Sequence, residues 1–217
     1  MTGSLLRNQS AFVLFAALLT LFLPFESAGA QENVAHRQCS PDGRLCFVLT
    51  TADQKAIYSV DRDGNPVIEP SQLGFMLRGA GKWGSGIELG DAARSRVDET
   101  WEQPWGERQF VHDRHNELAV TFRETRDTSK RALPVRMRVF DDGVGFRYEF
   151  PENPDQPVTG IAEELTEFVI APDQDATAWW IQGGDWNRYE YLYKKTPIEE
   201  VSTAHTPMTV RLADGTH

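Results

Sequence analysis

The chain has 217 residues, with 22 Lys and Arg against 32 Asp and Glu, for a formal net charge of −10. That length bounds it to one or two domains. An acidic balance of this size repels phosphate backbones and anionic lipid, so it argues against nucleic acid or a membrane surface as a partner and suits a neutral or cationic ligand.

The first predicted element is a leader. Arg7 gives the start a positive charge, AFVLFAALLTLFLPF (residues 11–25) is an almost unbroken apolar run, and Ala28-Gly29-Ala30 supplies small residues at cleavage-site spacing. This is the pattern of a secretory signal peptide over residues 1–30. The run is short for a bilayer span, which takes about 20 apolar residues. No cysteine stands at the cleavage point to carry a lipid. The mature chain is therefore expected to be residues 31–217, periplasmic or secreted, with no membrane attachment. Loss of the leader removes Arg7 and Glu26 together, so the charge stays at −10.

Next comes CSPDGRLC, residues 39–46, which holds both cysteines of the chain. Asp42-Gly43 is a strong two-residue hairpin turn, which sets Ser40 opposite Leu45 and Cys39 opposite Cys46. In an exported protein these thiols are expected to form a local cross-strand disulfide. Two thiols with only His36 nearby make a poor zinc cage. The closed loop is short, so the bridge should stabilise only modestly.

Beyond this point the pattern is β almost throughout. Strands are predicted at 45–51, 56–61, 66–69, 73–77, 117–124, 135–140, 146–150, 167–170, 178–181 and 208–212. Turn or loop signals lie at 63–65, 79–86, 142–143, 152–157 and 173–176. No stretch outside the leader has apolar residues at helical spacing. So many strands without helices predict an all-β fold of two packed antiparallel sheets.

The clearest hairpin is VRMRVFDDGVGFRYEF, residues 135–150. A two-residue turn at Asp142-Gly143 would set Val139 opposite Phe146 and Met137 opposite Tyr148 on one face. Arg136 would then face Glu149, and Arg138 would face Arg147, on the other. A one-residue slip would turn the apolar face to water, so the choice of face is well specified. The Arg/Glu lattice reads as a solvated sheet face. The last residues, VRLADGTH, put a turn signal at Asp214-Gly215 with no return strand, so the sandwich is expected to be truncated at its C-terminal end.

No G-x-S-x-G, phosphate-binding glycine loop or H-E-x-x-H is present. His112-Asp113-Arg114-His115, followed by Glu117, reads as a polar turn rather than a zinc site. Adjacent carboxylates at 141–142, 163–164 and 199–200 point to opposite strand faces, so none forms the convergent pair a glycosidase needs at about 5–9.5 Å. Trp83, Trp101, Trp105, Trp179, Trp180 and Trp186 could stack on a sugar ring or fill the sandwich. Alternation puts one of Trp179 and Trp180 in the core and leaves the other open. In GGDWNRYEYLYKKT, residues 183–196, Glu190 stands between two tyrosines. On an extended segment Tyr189, Tyr191 and Tyr193 would share one side, with Arg188, Glu190 and Leu192 on the other. Glu190 is then either a solvated carboxylate or a ligand group.

Six stretches, in order, resemble the N-terminal domain of glycoside hydrolase family 97, the bacterial α-glucosidase and α-galactosidase family. They are SPDGRL at 40–45, PSQLGF at 70–75, ETWEQPWGE at 99–107, HNELAVTF at 115–122, FDDGVGFRYEFP at 140–151 and YEYLYKKTPIEEV at 189–201. The resemblance implies a β-super-sandwich similar to the galactose-mutarotase fold. In the family a (β/α) barrel carrying the catalytic acids follows, then a small β-domain. It further implies calcium-dependent, exo-acting hydrolysis of α-linked glycosides, with Glu190 lent to a calcium ion whose other ligands come from the barrel. No catalytic residue falls in this chain on that reading. The expected partners are an α-linked oligosaccharide and the catalytic barrel, and Trp186 is the substrate-contact candidate. The Cys39/Cys46 pair lies outside the family pattern and rests on the hairpin alone. Two other functions stay open: a free-standing carbohydrate-binding sandwich using Trp186 or one of Trp179 and Trp180, and a sugar mutarotase. The second needs an acid and a base facing a pocket, and the histidines at 36, 112, 115, 205 and 217 form no such motif.

Overall fold

The computed structural model describes residues 35–79, 81–125, 131–150, 160–171, 175–184 and 189–215, all within one compact unit, Asn33–His217. The expected signal peptide, Trp186 and Arg188 lie outside the described residues. The strands are β1 (His36–Cys39), β2 (Leu45–Ala52), β3 (Lys55–Arg62), β4 (Asn65–Gln72), β5 (Phe75–Leu77), β6 (Gly81–Trp83), β7 (Ile87–Glu102), β8 (Phe110–Glu124), β9 (Ala132–Phe140), β10 (Val144–Tyr148), β11 (Ile161–Glu164), β12 (Thr177–Gln182), β13 (Lys194–Pro197) and β14 (Ala204–Arg211). A single 3-10 turn, Ile198–Glu200, follows β13. Four antiparallel sheets result, in the orders β1-β2-β3-β4, β10-β9-β8-β7, β11-β5-β6 and β13-β12-β14.

The all-β expectation holds, and the reason is period-two burial. On β2 and β3 the inward residues are Leu45, Phe47, Leu49, Ala56, Tyr58 and Val60; on β8 and β9 they are Leu118, Val120, Phe122, Leu133, Val135, Met137 and Val139. Together with Leu73, Phe75, Trp83 and Ile87 they form one buried cluster between the two large sheets. Each fully buried side chain of this size contributes about 1.5–3 kcal/mol. Phe47 stacks on Tyr58 with centroids 5.2 Å apart, and Phe75 stacks on Trp83 at 5.1 Å. The Tyr58 hydroxyl donates to the Glu167 carbonyl at 2.7 Å, and burial pushes its pKa up.

Cys39 pairs with Cys46 across β1 and β2, and the two are bridged with Cα atoms 4.0 Å apart. The turn at Asp63-Gly64 has positive φ at both residues, 54° and 81°, the type I′ geometry that suits a two-residue hairpin.

The register expected for residues 135–150 is corrected. Val139 pairs with Val144 and Met137 with Phe146, so the two-residue turn is Asp141-Asp142, one residue earlier than Asp142-Gly143. It is closed by the Phe140 N–H donating to the Gly143 carbonyl at 2.8 Å. A shift of two preserves the faces, because side chains alternate with a period of two. The apolar side was therefore anticipated correctly while every cross-strand partner was not. Strand β7, the longest, was not anticipated, and most of its length is exposed. The predicted loop at 79–86 contains β6, and 167–170 runs beside β4 with one bridge, Ile68 to Ile170, and backbone hydrogen bonds from Glu69 to Val169, Glu167 to Gln72 and Ala171 to Val67.

Candidate functional site

Glu190 lies on the connection between β12 and β13. The segment is not extended. The Tyr191 N–H donates to the Tyr189 carbonyl at 3.0 Å, which closes a three-residue turn with Glu190 at its apex. The expected alternation, with the tyrosines packed on the sandwich, is therefore corrected: Tyr189, Tyr191 and Tyr193 are all exposed, and Leu192 is 91% exposed. The local reason is the turn, which abolishes the two-residue period. Tyr189 is anchored, its hydroxyl donating to the Thr206 carbonyl on β14 at 2.6 Å and its ring lying 5.4 Å from His205.

The Glu190 carboxylate is exposed. No described group of three or more His, Cys, Asp or Glu side chains could hold a metal ion. A calcium ion takes about 6–8 oxygens. One exposed carboxylate is far short of that number.

Strand β12 sets the neighbouring tryptophans. Trp180 is buried, and its Nε1 donates to the Thr196 hydroxyl at 3.1 Å. Lys194 Nζ lies 4.6 Å from its ring centroid and donates to Gln182 Oε1 at 2.7 Å. Trp179 points the other way, as alternation requires. Its ring is covered by Lys195 Nζ at 5.3 Å and by the Arg211 guanidinium at 5.4 Å. Cations at such range are held by the ring's negative face, so Trp179 is not an open stacking platform for a sugar.

The outer face of β8, β9 and β10 carries the Arg/Glu lattice. Glu117 accepts from Arg136 Nη1 at 2.5 Å and from Arg138 Nε at 3.0 Å. Glu149 accepts from Arg136 Nε at 2.6 Å and from Arg147 Nη2 at 2.7 Å. Hydrogen bonds from Arg136 and then Arg147 pull the Glu149 carboxyl down to about 2. Burial works to raise Glu117, but Arg138 and Arg136 outweigh it and the carboxyl is lowered. Both glutamates are thus held as anions by fixed cations, which suits a structural lattice and not proton transfer near neutral pH.

A turn was expected at His112 and His115, but both lie on strand β8, His112 near its start. Three residues apart on a strand, they face opposite ways. His112 Nε2 meets Asp98 at 2.8 Å on an exposed face, while His115 is buried with Nδ1 2.5 Å from Asp113. They cannot share an ion.

What sequence reasoning missed is the end of the β7–β8 hairpin. Trp105 is 83% exposed there, beside exposed Trp101 and Phe110. The signal was present as the turn-forming Gln103-Pro104-Trp105-Gly106 inside an otherwise charged run.

Comparison with known proteins completes the description. The family profile described as Glycosyl-hydrolase 97 N-terminal matches residues 39–217. A "Probable retaining alpha-galactosidase" from Streptomyces bingchenggensis (strain BCW-1) is 31% identical over 185 residues, covering 82% of this chain and 27% of that protein. Solved structures of a Glycoside Hydrolase Family 97 enzyme from Pseudoalteromonas sp. strain K8, in complexes with panose and with acarbose, superpose with a TM-score of 0.77 at 37% identity, covering 83% of this chain and 27% of that one. A β-arabinopyranosidase superposes with a TM-score of 0.72 at 26% identity, covering 82% of this chain and 30% of that one. The chain thus spans little more than a quarter of the length of these relatives.

Proposed function

The chain belongs to the glycosyl-hydrolase 97 N-terminal family, and from that membership we propose that it is the supporting sandwich of a calcium-dependent, exo-acting α-glycosidase that hydrolyses α-glucosides or α-galactosides. Catalytic acids are assigned to the polypeptide by which the relatives exceed this chain, and the sandwich alone is inactive. The substrate class is supported by the relatives' names and bound sugars: an α-galactosidase on one side, panose and acarbose complexes on the other.

The observation that carries the reading is Glu190, an exposed carboxylate at the apex of a turn tied to β14 through Tyr189. Glu190 supplies one oxygen ligand to calcium, and the barrel supplies most of the rest. Bound there, the ion would supply Lewis-acid chemistry, with Glu190 as the residue of this chain that would help hold it. Within this chain, the Tyr189 anchor and the turn restrict where the Glu190 carboxylate can go, which lowers the ordering cost of ligation. The leader and the Cys39–Cys46 bridge support a periplasmic or secreted location.

The test joins residues 31–217 to the Pseudoalteromonas sp. strain K8 enzyme in place of its matching part. This joined enzyme and the chain alone are assayed on aryl α-glucoside and aryl α-galactoside, with and without a calcium chelator. Turnover is expected from the joined enzyme only, and the chelator should abolish it. Turnover by the chain alone, or turnover indifferent to the chelator, contradicts the reading.

A further inference from the structure

Strands β7 and β8 run on past their sheet. Strand β9 pairs with β8 only from His115 to Arg123, whereas β7 pairs with β8 out to Glu102 opposite Phe110. Residues 98–102 and 110–114 therefore form a two-stranded ribbon with no third strand among the described residues. At about 3.4 Å per residue it extends roughly 17 Å before its loop. Such a ribbon is marginally stable by itself in water.

The ribbon is aromatic on both faces. Trp101 lies opposite Val111, and Phe110 lies opposite Glu102. Cross-strand partners share a face, so Trp101 and Phe110 point to opposite sides. They are 45% and 58% exposed, and Trp105 at the tip is 83% exposed. A sugar-stacking platform needs one aromatic face, and a solvated ribbon needs none; aromatic groups on both sides and the end suit enclosure in a cleft.

The tip is fixed in advance. The Gln103 N–H donates to the Gln109 carbonyl at 2.9 Å, Gln103 Nε2 donates to the Arg108 carbonyl, and Gln109 Nε2 donates to Glu102 at 2.8 Å. Gly106 has φ +134° and packs on the Gln103 amide so closely that a Cβ would lie 2.6 Å from it. A loop already ordered loses little freedom on docking.

We propose that this ribbon is the arm by which the sandwich docks on the catalytic barrel, its aromatic tip seated in an apolar cleft of that domain. The inference rests on the reading of the chain as the N-terminal part of a longer enzyme. The relatives support it by length, since the matched region is only 27% of the Pseudoalteromonas enzyme and the remainder is ample for a receiving domain. Glu99, Glu102 and Glu107 around the tip, against Arg108 alone, favour a basic or polar rim to the cleft over an acidic one.

Hydroxyl-radical footprinting read by mass spectrometry tests this at the side chains themselves. Trp101, Trp105 and Phe110 are compared between the chain alone and the joined enzyme, with Leu192 and Tyr193 as internal references. At least a 10-fold drop in labelling of Trp105 in the joined enzyme is expected, with no effect of protein concentration or added maltooligosaccharide on the chain alone. Trp105→Ala with Phe110→Ala should lower the unfolding midpoint of the joined enzyme and leave that of the chain alone unchanged. Protection of Leu192 and Tyr193 without Trp105 overturns the arm and leaves the domain reading intact. Protection of none of them overturns both. Concentration-dependent protection in the chain alone assigns the ribbon to a second copy, and protection by the sugar assigns it to a glycan; either overturns the proposal.

Discussion

The Tyr189 hydroxyl donates to the backbone carbonyl of Thr206 at 2.6 Å, so the turn that carries Glu190 is tied to β14 by one side chain. Tyr189→Phe removes the hydroxyl and keeps the ring against His205. A single hydrogen bond of this kind is worth about 1 kcal/mol. The expected result is a small fall in unfolding midpoint of the chain and faster amide exchange at residues 189–193. Unchanged exchange there would show that the tyrosine does not hold the turn.

Glu149 links acid sensitivity to the Arg/Glu lattice. Its folded carboxyl is drawn from 4.5 to about 2, first by Arg136 and then by Arg147. A depressed carboxyl contributes stability that is fully present above about pH 4.5 and is lost as pH falls toward 2. Glu149→Gln should cost roughly 1–2 kcal/mol near pH 7 after allowance for solvent screening. The gap between variant and wild type should close by about pH 2–3. Urea unfolding at a series of pH values measures it, and a gap that widens in acid would contradict the sign.

The β2–β3 turn places two non-glycine residues at positive φ, Asp53 at 50° and Gln54 at 59°. Left-handed backbone is costly for residues with a Cβ. Gln54→Gly should therefore stabilise the chain, by roughly 0.5–1 kcal/mol once the added freedom of the unfolded glycine is counted. The Gln54 carbonyl, which accepts from the Ile87 N–H at 2.8 Å, is retained. A lower unfolding midpoint would show that the Gln54 side chain matters more than the backbone.

The Cys39–Cys46 bridge spans a separation of only 7 residues. Chain-entropy reasoning assigns so short a loop about 2 kcal/mol. The Cys39→Ser, Cys46→Ser double variant should lose about that much and remain folded, because the pairing of β1 with β2 and the core beneath do not depend on the bridge. Collapse to an unfolded chain by circular dichroism would contradict this.

How much was legible follows from what each residue's neighbours do. The core strands could be read because Val120 and Phe122, and Val135 and Met137, alternate with polar residues, while residues 45–49 form a short apolar run. The disulfide could be read because the Asp42-Gly43 turn signal implies the register that pairs Cys39 with Cys46. Partners in the β9–β10 hairpin could not, since a two-residue turn at Asp141-Asp142 and one at Asp142-Gly143 keep the same faces and only the hydrogen bond from Phe140 to Gly143 decides between them. Strand β7 was hidden because a long exposed ribbon has no buried face to impose a pattern. The disposition of Glu190 was missed because alternation presumes a strand, and nothing in YEYLY signals the turn that interrupts it. Trp186 and the leader lie outside the described residues.

Calcium titration by calorimetry of the joined enzyme, beside its Glu190→Gln form and the chain alone, puts the role of Glu190 to the most direct test. Loss of one charged oxygen ligand should weaken calcium binding by at least about 10-fold, and the chain alone should show no micromolar binding. Equal affinity in the two joined forms, or micromolar binding by residues 31–217 alone, would contradict a shared site.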